Sequence, residues 1–231
     1  MFSVRMADLN ILIDNKYSYI EDMCADYISA FDKADFAVSV TPFEIKGEDD
    51  GTGFDMPYLE SLAVYRKIAE HILSYDGFLM HGVVADADGC GIIFTAPSGV
   101  GKTTHTRLWK EYLGDSFTVI NGDKPLLRFL DGKVYAYGTP WAGKENIHTN
   151  DKVAVNKICF IEQSPFNECI PLEKRVGLSM LLPQIYRPAK AESYLKTVDL
   201  VSRLVSQADF YKIKCNMDLT AAKTAYEGLK L

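Results

Sequence analysis

The chain has 231 residues, long for one domain and short for two; 48% are hydrophobic and 24% charged, enough apolar content to bury a sizeable core. A formal net charge of −6 excludes a broad electropositive face for duplex nucleic acid, while a local basic pocket for phosphates remains compatible with it. No apolar run reaches the ~18–20 residues of a bilayer span, and charges break the first fifteen residues before a signal segment forms, so the expectation is a cytoplasmic chain without membrane contact.

In chain order, residues 2–13 read as a strand, 17–31 as a helix and 35–40 as an alternating strand. The glycines and acidic residues of 46–53 then mark a loop and a border, giving an N-terminal α/β extension over 1–53 and a core over 54–231. Asp55 and Pro57 signal the start of a helix that runs to about Tyr75. It carries Leu62, Tyr65, Ala69, Ile72 and Leu73 on one face, which should lie against a sheet. Residues 77–84 and 91–95 read as antiparallel strands joined by a tight Asp/Gly turn.

A helix over 102–113 stops at Gly114, a strand follows over 117–120, and Asp131-Gly132 sits between two alternating runs as a hairpin turn. Residues 138–151 form a long polar loop of the kind that is functional or mobile. Strands over 153–162 and 168–172, helices over 176–182 and 189–206, a strand over 209–215 and a helix over 219–227 complete an α/β chain. The five cysteines, Cys24, Cys90, Cys159, Cys169 and Cys215, have no spacing suited to zinc and predict reduced, mostly buried thiols.

Ala96 to Thr103 reads A-P-S-G-V-G-K-T, the Walker A spacing with alanine in place of the first glycine. It follows an apolar strand and opens a helix. Small residues let the N–H groups of Ser98, Gly99, Val100 and Gly101 converge on a phosphate. Thr104 follows on the helix, whose positive end adds to the cradle. Lys102 reaches the β- and γ-phosphates and the Thr103 hydroxyl binds Mg²⁺. Asp123, after the strand that follows the helix, supplies the carboxylate that Mg²⁺ also needs.

Four segments in order, LMHG (79–82), APSGVGKTT (96–104), INGDKPLL (120–127) and YGTPWAGKE (137–145), resemble the HPr kinase/phosphorylase and ATP-dependent phosphoenolpyruvate carboxykinase superfamily, particularly its small HPr-kinase-like members. The likeness covers residues 77–163. It implies a mixed β-sheet P-loop kinase core in which ATP, Mg²⁺ and an acceptor hydroxyl on a protein, peptide or metabolite meet on one edge. Family members carry two adjacent aspartates in the second motif, whereas this chain reads Asn121-Gly122-Asp123.

His81 is the candidate replacement or partner for the missing carboxylate, either as a base or in the surroundings of the metal. Lys144 and Arg187 are candidates for stabilising transferred charge. Lys124 and His148 remain possible ligand contacts, His71 and His105 read as bystanders, and Trp141 reads as a lid, a base-stacking ring or a packed loop anchor. The leading expectation is an ATP- and Mg²⁺-dependent kinase. The alternatives are a nucleotide-binding regulatory module with little turnover and a carboxykinase-like phosphotransferase; the sequence is compatible with an oligomer and leaves the acceptor open.

Overall fold

A computed structural model describes residues Met1–Leu231. The chain opens with a hairpin, β1 (Phe2–Met6) pairing antiparallel with β2 (Leu9–Asp14), where one strand was expected. Ala7 and Asp8 both take positive φ, 53° and 57°, and reverse the chain in two residues. Neither is the asparagine or glycine that announces such a turn, so the sequence pattern runs through it unbroken.

The helix expected over 17–31 is cut to α1 (Tyr19–Met23) and a 3-10 turn over Ala25–Tyr27. Tertiary contact overrides helix propensity here: Tyr27 is buried and its hydroxyl donates to Thr149 O (3.1 Å). β3 (Phe36–Ser39) adds parallel to β2 and completes a three-stranded sheet. A short helix not expected from the sequence, α2 (Pro42–Lys46), follows, fixed by a capping box between Thr41 and Glu44. α3 (Met56–His71) starts where Asp55 accepts the Tyr58 N–H (3.2 Å) with Pro57 in the first turn. Its face buries Leu59, Val64 and Ile68 in one cluster with Val4, Ile11 and Val38 of the small sheet and with Leu126, Tyr137 and Trp141.

The larger sheet has nine strands. β4 (Gly77–Leu79), β5 (Val83–Ala87), β6 (Cys90–Thr95), β7 (Phe117–Asn121), β8 (Leu126–Leu130), β9 (Lys133–Tyr137) and β10 (Lys152–Gln163) lie in the order β4-β8-β9-β10-β6-β5-β7. β12 (Asp209–Cys215) pairs parallel with the second half of β10, and β11 (Glu168–Leu172) pairs antiparallel with β12. The twelve residues of β10 thus join two half-sheets: its start pairs antiparallel with β9, its remainder parallel with β6 and β12.

The strand expected over 77–84 is two strands in different halves, β4 beside β8 and β5 beside β6 and β7. At the break His81 N–H donates to Gln184 O (2.7 Å) and Gly82 N–H to Asp123 O (2.8 Å), so the chain leaves the ladder to bond two loops. His81 therefore stands at a gap between strands rather than on one.

Helices cover both faces of the β6-β10-β12 half, and alternate residues of β10 face opposite ways. Ile158 and Phe160 pack with Leu181 of α5 (Lys174–Leu181) and with Leu200 and Leu204 of α6 (Ala191–Gln207). Cys159 and Ile161 pack with Trp109 of α4 (Lys102–Leu113) and Ala222 of α7 (Thr220–Leu229). All five cysteines are free, with Cys24, Cys159 and Cys215 buried. No helix is long and apolar enough to cross a membrane.

Candidate functional site

β6 ends at Thr95, and residues 96–101 lead from it into α4. Gly99 (φ 82°) and Gly101 (φ 109°) lie in the left-handed region, where a side chain would be strained. A Cβ built on either meets nothing within 4 Å, so the space over the turn is open. Ser98 and Gly99 are exposed, Val100 and Gly101 partly so, and no side chain caps α4. Its first-turn N–H groups are left for an anion, at the positive end of the helix.

Lys102 is buried and its Nζ donates back to Ala96 O (2.9 Å), which folds the cation against the turn. Burial lowers its pKa, and the Asp123 charge pulls the other way. Thr103 is half-buried and Thr104 exposed beside it. These features fit a polyphosphate.

Asp123 follows β7 and is fixed from several sides. Asn121 is fully buried; its Nδ2 donates to the carbonyl and hydroxyl oxygens of Thr139 (both 3.0 Å), and its Oδ1 accepts the Asp123 N–H (2.9 Å). His81 Nε2 lies 3.2 Å from Asp123 Oδ1, and His81 Nδ1 lies 3.0 Å from Gln184 Oε1. Lys124 Nζ is 3.8 Å from Asp123 Oδ2. Burial would raise the Asp123 pKa, but the His81 hydrogen bond and the Lys124, His81 and Lys102 charges outweigh it and hold the carboxyl below its ordinary value. It is an anion at neutral pH.

Thr95 connects this cluster to the glycine turn, since its hydroxyl donates to His81 O (2.9 Å) and the next residue, Ala96, begins the turn. No group of three or more His, Cys, Asp and Glu side chains is placed to hold a metal ion. A cation here would share Asp123 and the Thr103 hydroxyl with phosphate oxygens, a donor set that suits Mg²⁺.

The glycine at 122 has a structural cause. A Cβ there would sit 2.7 Å from Ala142 O and 3.2 Å from Ile147 O, because the loop after β9 closes over it. An aspartate at this position would have to displace that loop. Gly122→Ala is expected to cost about 1–3 kcal/mol through overpacking, read as a lowered urea midpoint at unchanged slope.

Of that loop, expected to be polar and either functional or mobile, residues 138–142 are buried and residues 143–147 exposed. Trp141 stacks on Tyr65 (centroids 3.9 Å apart) and its indole N–H donates to Ser61 O (3.1 Å), so it is the packed anchor among the three roles considered for it. Beyond it Gly143 backs onto Asp123, and Lys144 is exposed next to Glu145, which pairs with Arg107 of α4.

Arg187 is not brought to the cluster. It lies two residues past the Met80–Ile185 bridge, exposed, with its guanidinium 5.7 Å from the centre of the Tyr194 ring. His148 bonds the Tyr27 hydroxyl (3.2 Å), and His71 stacks on Phe36. Asn121, Thr139 and Gln184 were not singled out in the sequence. The first two sit inside INGDKPLL and YGTPWAGKE, where a polar residue closing an apolar strand was the available signal; Gln184 comes from a turn a hundred residues away and carried none.

Two cavities flank the glycine turn, of about 460 Å³ and 560 Å³, and neither is lined by His81 or Asp123.

No protein-family model matches the chain, and no curated protein matches it. Among solved structures it is similar to the HPr(Ser) kinase/phosphatase from Coxiella burnetii, at 11% identity and a TM-score of 0.31, over 55% of this chain and 90% of that one. A likeness of this size leaves the functional reading to rest on the side chains described above.

Proposed function

We propose that the chain is a kinase that binds ATP with Mg²⁺ and transfers the γ-phosphoryl group to a hydroxyl on a protein, peptide or metabolite. The observation that supports this most is the Thr95–His81–Asp123 connection, which ties an anionic carboxylate to the base of an open, uncapped glycine turn. Phosphoryl transfer asks mainly for alignment and for charges aimed at the phosphate oxygens.

In this reading the turn amides and Lys102 bind the phosphate chain, with Lys102 leaving Ala96 O for the β- and γ-oxygens. Thr103 and Asp123 hold the cation, which when bound neutralises charge on the transferred group. His81 positions Asp123: its Nε2–H fixes one carboxylate oxygen and leaves the other free to act. Lys124, 3.8 Å from Asp123, and Lys144, in the loop just past Gly143, are assigned to charge stabilisation.

The test uses γ-labelled ATP with hydroxyl-bearing acceptors. Label is expected on the acceptor, and His81→Ala is expected to lower turnover at least ~10-fold with nucleotide affinity unchanged. His81→Gln, which keeps an N–H donor, should recover part of the loss. Unaltered turnover in His81→Ala removes the positioning role. The locked glycine at 122 favours a second reading, a regulatory module that binds nucleotide without turnover. Saturable binding with no labelled acceptor and no released phosphate would select it.

A further inference from the structure

The charge of the chain is unevenly spread. Residues 1–55 hold twelve carboxylates against four cations, a net −8, whereas residues 56–231 hold nineteen against twenty-one, a net +2. The whole negative excess thus belongs to the N-terminal extension and the cap of α3. Of those twelve carboxylates only Asp8, Glu44 and Glu48 enter ion pairs. The other nine leave a field that draws in cationic partners.

α3 carries this extension to the Asp123 cluster. The Tyr65 hydroxyl donates to the carbonyl of Lys124, next to Asp123, and Ser61 O receives the indole of Trp141, two residues before the glycine that backs onto Asp123. One turn before Ser61 stands Tyr58, the middle of a row of three rings. Its centroid is 4.6 Å from that of Phe54 and 6.4 Å from that of Tyr19 on α1. Phe54 is 52% and Tyr19 42% exposed, so the row is open to solvent, as interaction surfaces are. Burial, Tyr19 and the Asp123 charge together raise the Tyr58 pKa, which places this ring within the field of the carboxylate.

Charge selects the occupant. Asp49, Asp50 and Asp55 flank Phe54 in the chain, and Glu21 and Asp22 follow Tyr19 on α1. Against them stands Lys16, in the loop before α1. Aromatic faces set among carboxylates suit Arg and Lys side chains, which stack on the rings while the acids neutralise them. Steps of 4.6 and 6.4 Å between rings are those of one to two residues of extended chain, at ~3.3 Å per residue. A peptide can therefore lay several side chains along the row while one hydroxyl meets the Asp123 cluster.

We propose that the Tyr19–Tyr58–Phe54 row is the acceptor-docking surface and that the acceptor is a cationic peptide segment, a serine or threonine with arginine or lysine a few residues away. The proposal rests on the kinase reading above and adds the class of acceptor and the face that holds it. In the transfer the hydroxyl oxygen bonds the γ-phosphorus as the bond to the β,γ-bridging oxygen breaks; ADP leaves and the hydroxyl proton passes to water.

Two peptides of equal length test it with γ-labelled ATP, each with a central serine, flanked by arginines in one and by glutamates in the other. The arginine peptide is expected to show a kcat/KM at least ~10-fold above that of the glutamate peptide, a gap that narrows as salt rises. Phe54→Ala and Tyr19→Ala, at exposed rings, should each raise KM for the arginine peptide about 10-fold with Mg-ATP affinity unchanged. Reversing two charges together, Asp22→Lys with Asp49→Lys, should turn the preference toward the glutamate peptide, which a loss of packing alone would not do. Equal labelling of the two peptides, label on free serine or glycerol but on neither peptide, or ring variants with unchanged KM overturns the docking surface and leaves the kinase standing. Absence of label on all four acceptors overturns both.

Discussion

Lys102→Ala is expected to lower phosphoryl transfer by about 10²–10³-fold, the effect of removing one preorganised charge aimed at the transferred group. Lys102 is buried against the turn with a single hydrogen bond, to Ala96 O, and burial already lowers its pKa. A cation held in that way is poorly solvated and gains when polyphosphate oxygens replace one carbonyl. Removing it therefore spares the fold and weakens the ligand. The change should appear in nucleotide affinity as well as in turnover, unlike that of His81→Ala, since in the proposed reading Lys102 meets the phosphates whereas the His81 ring bonds Asp123 and Gln184. Steady-state rates with γ-labelled ATP and a thermal melt of the free protein check both halves. Full transfer by Lys102→Ala would remove the phosphate-loop reading.

Local chemistry made much of this molecule legible in the sequence. Gly114 ends α4 at positive φ, Asp131 and Gly132 turn the β8–β9 hairpin at φ 48° and 79°, and Asp55 caps α3, each where the residue type asks for it. The glycine turn was legible for the same reason, since Gly99 and Gly101 adopt conformations that other residues resist. Partners distant in the chain were not. The break that separates β4 from β5 is made by Gln184 O and Asp123 O, and residues 138–142 are buried because Ser61 and Tyr65 of α3 receive Trp141. His105 was expected to be a bystander, and in the structure it is buried, its Nε2 accepting the Trp109 indole N–H.

Asp123→Asn separates the carboxylate's charge from its shape. The amide can keep the backbone bond from its own N–H to Asn121 Oδ1 and a contact with His81, so the loop should stay in place. What is lost is the anion that the His81, Lys124 and Lys102 surroundings hold below the ordinary carboxyl pKa. Its contribution to folding is complete above about pH 3.8, the unperturbed value, and fades as pH falls through the depressed folded one, so the stability gap between the two proteins should close only in acid. For function the sign depends on the cation. Without Mg²⁺, Asp123 repels the terminal phosphate, and Asp123→Asn should bind ATP several-fold more tightly. With Mg²⁺ the proposed reading makes the carboxylate a ligand, and its removal should then weaken nucleotide binding and lower transfer about 10²–10³-fold, the scale of several kcal/mol of metal-mediated charge stabilisation. Titrating ATP with and without Mg²⁺ tests this directly. If Mg²⁺ strengthens ATP binding equally in both proteins, Asp123 is not its ligand, and the carboxylate serves only to hold His81 against the turn.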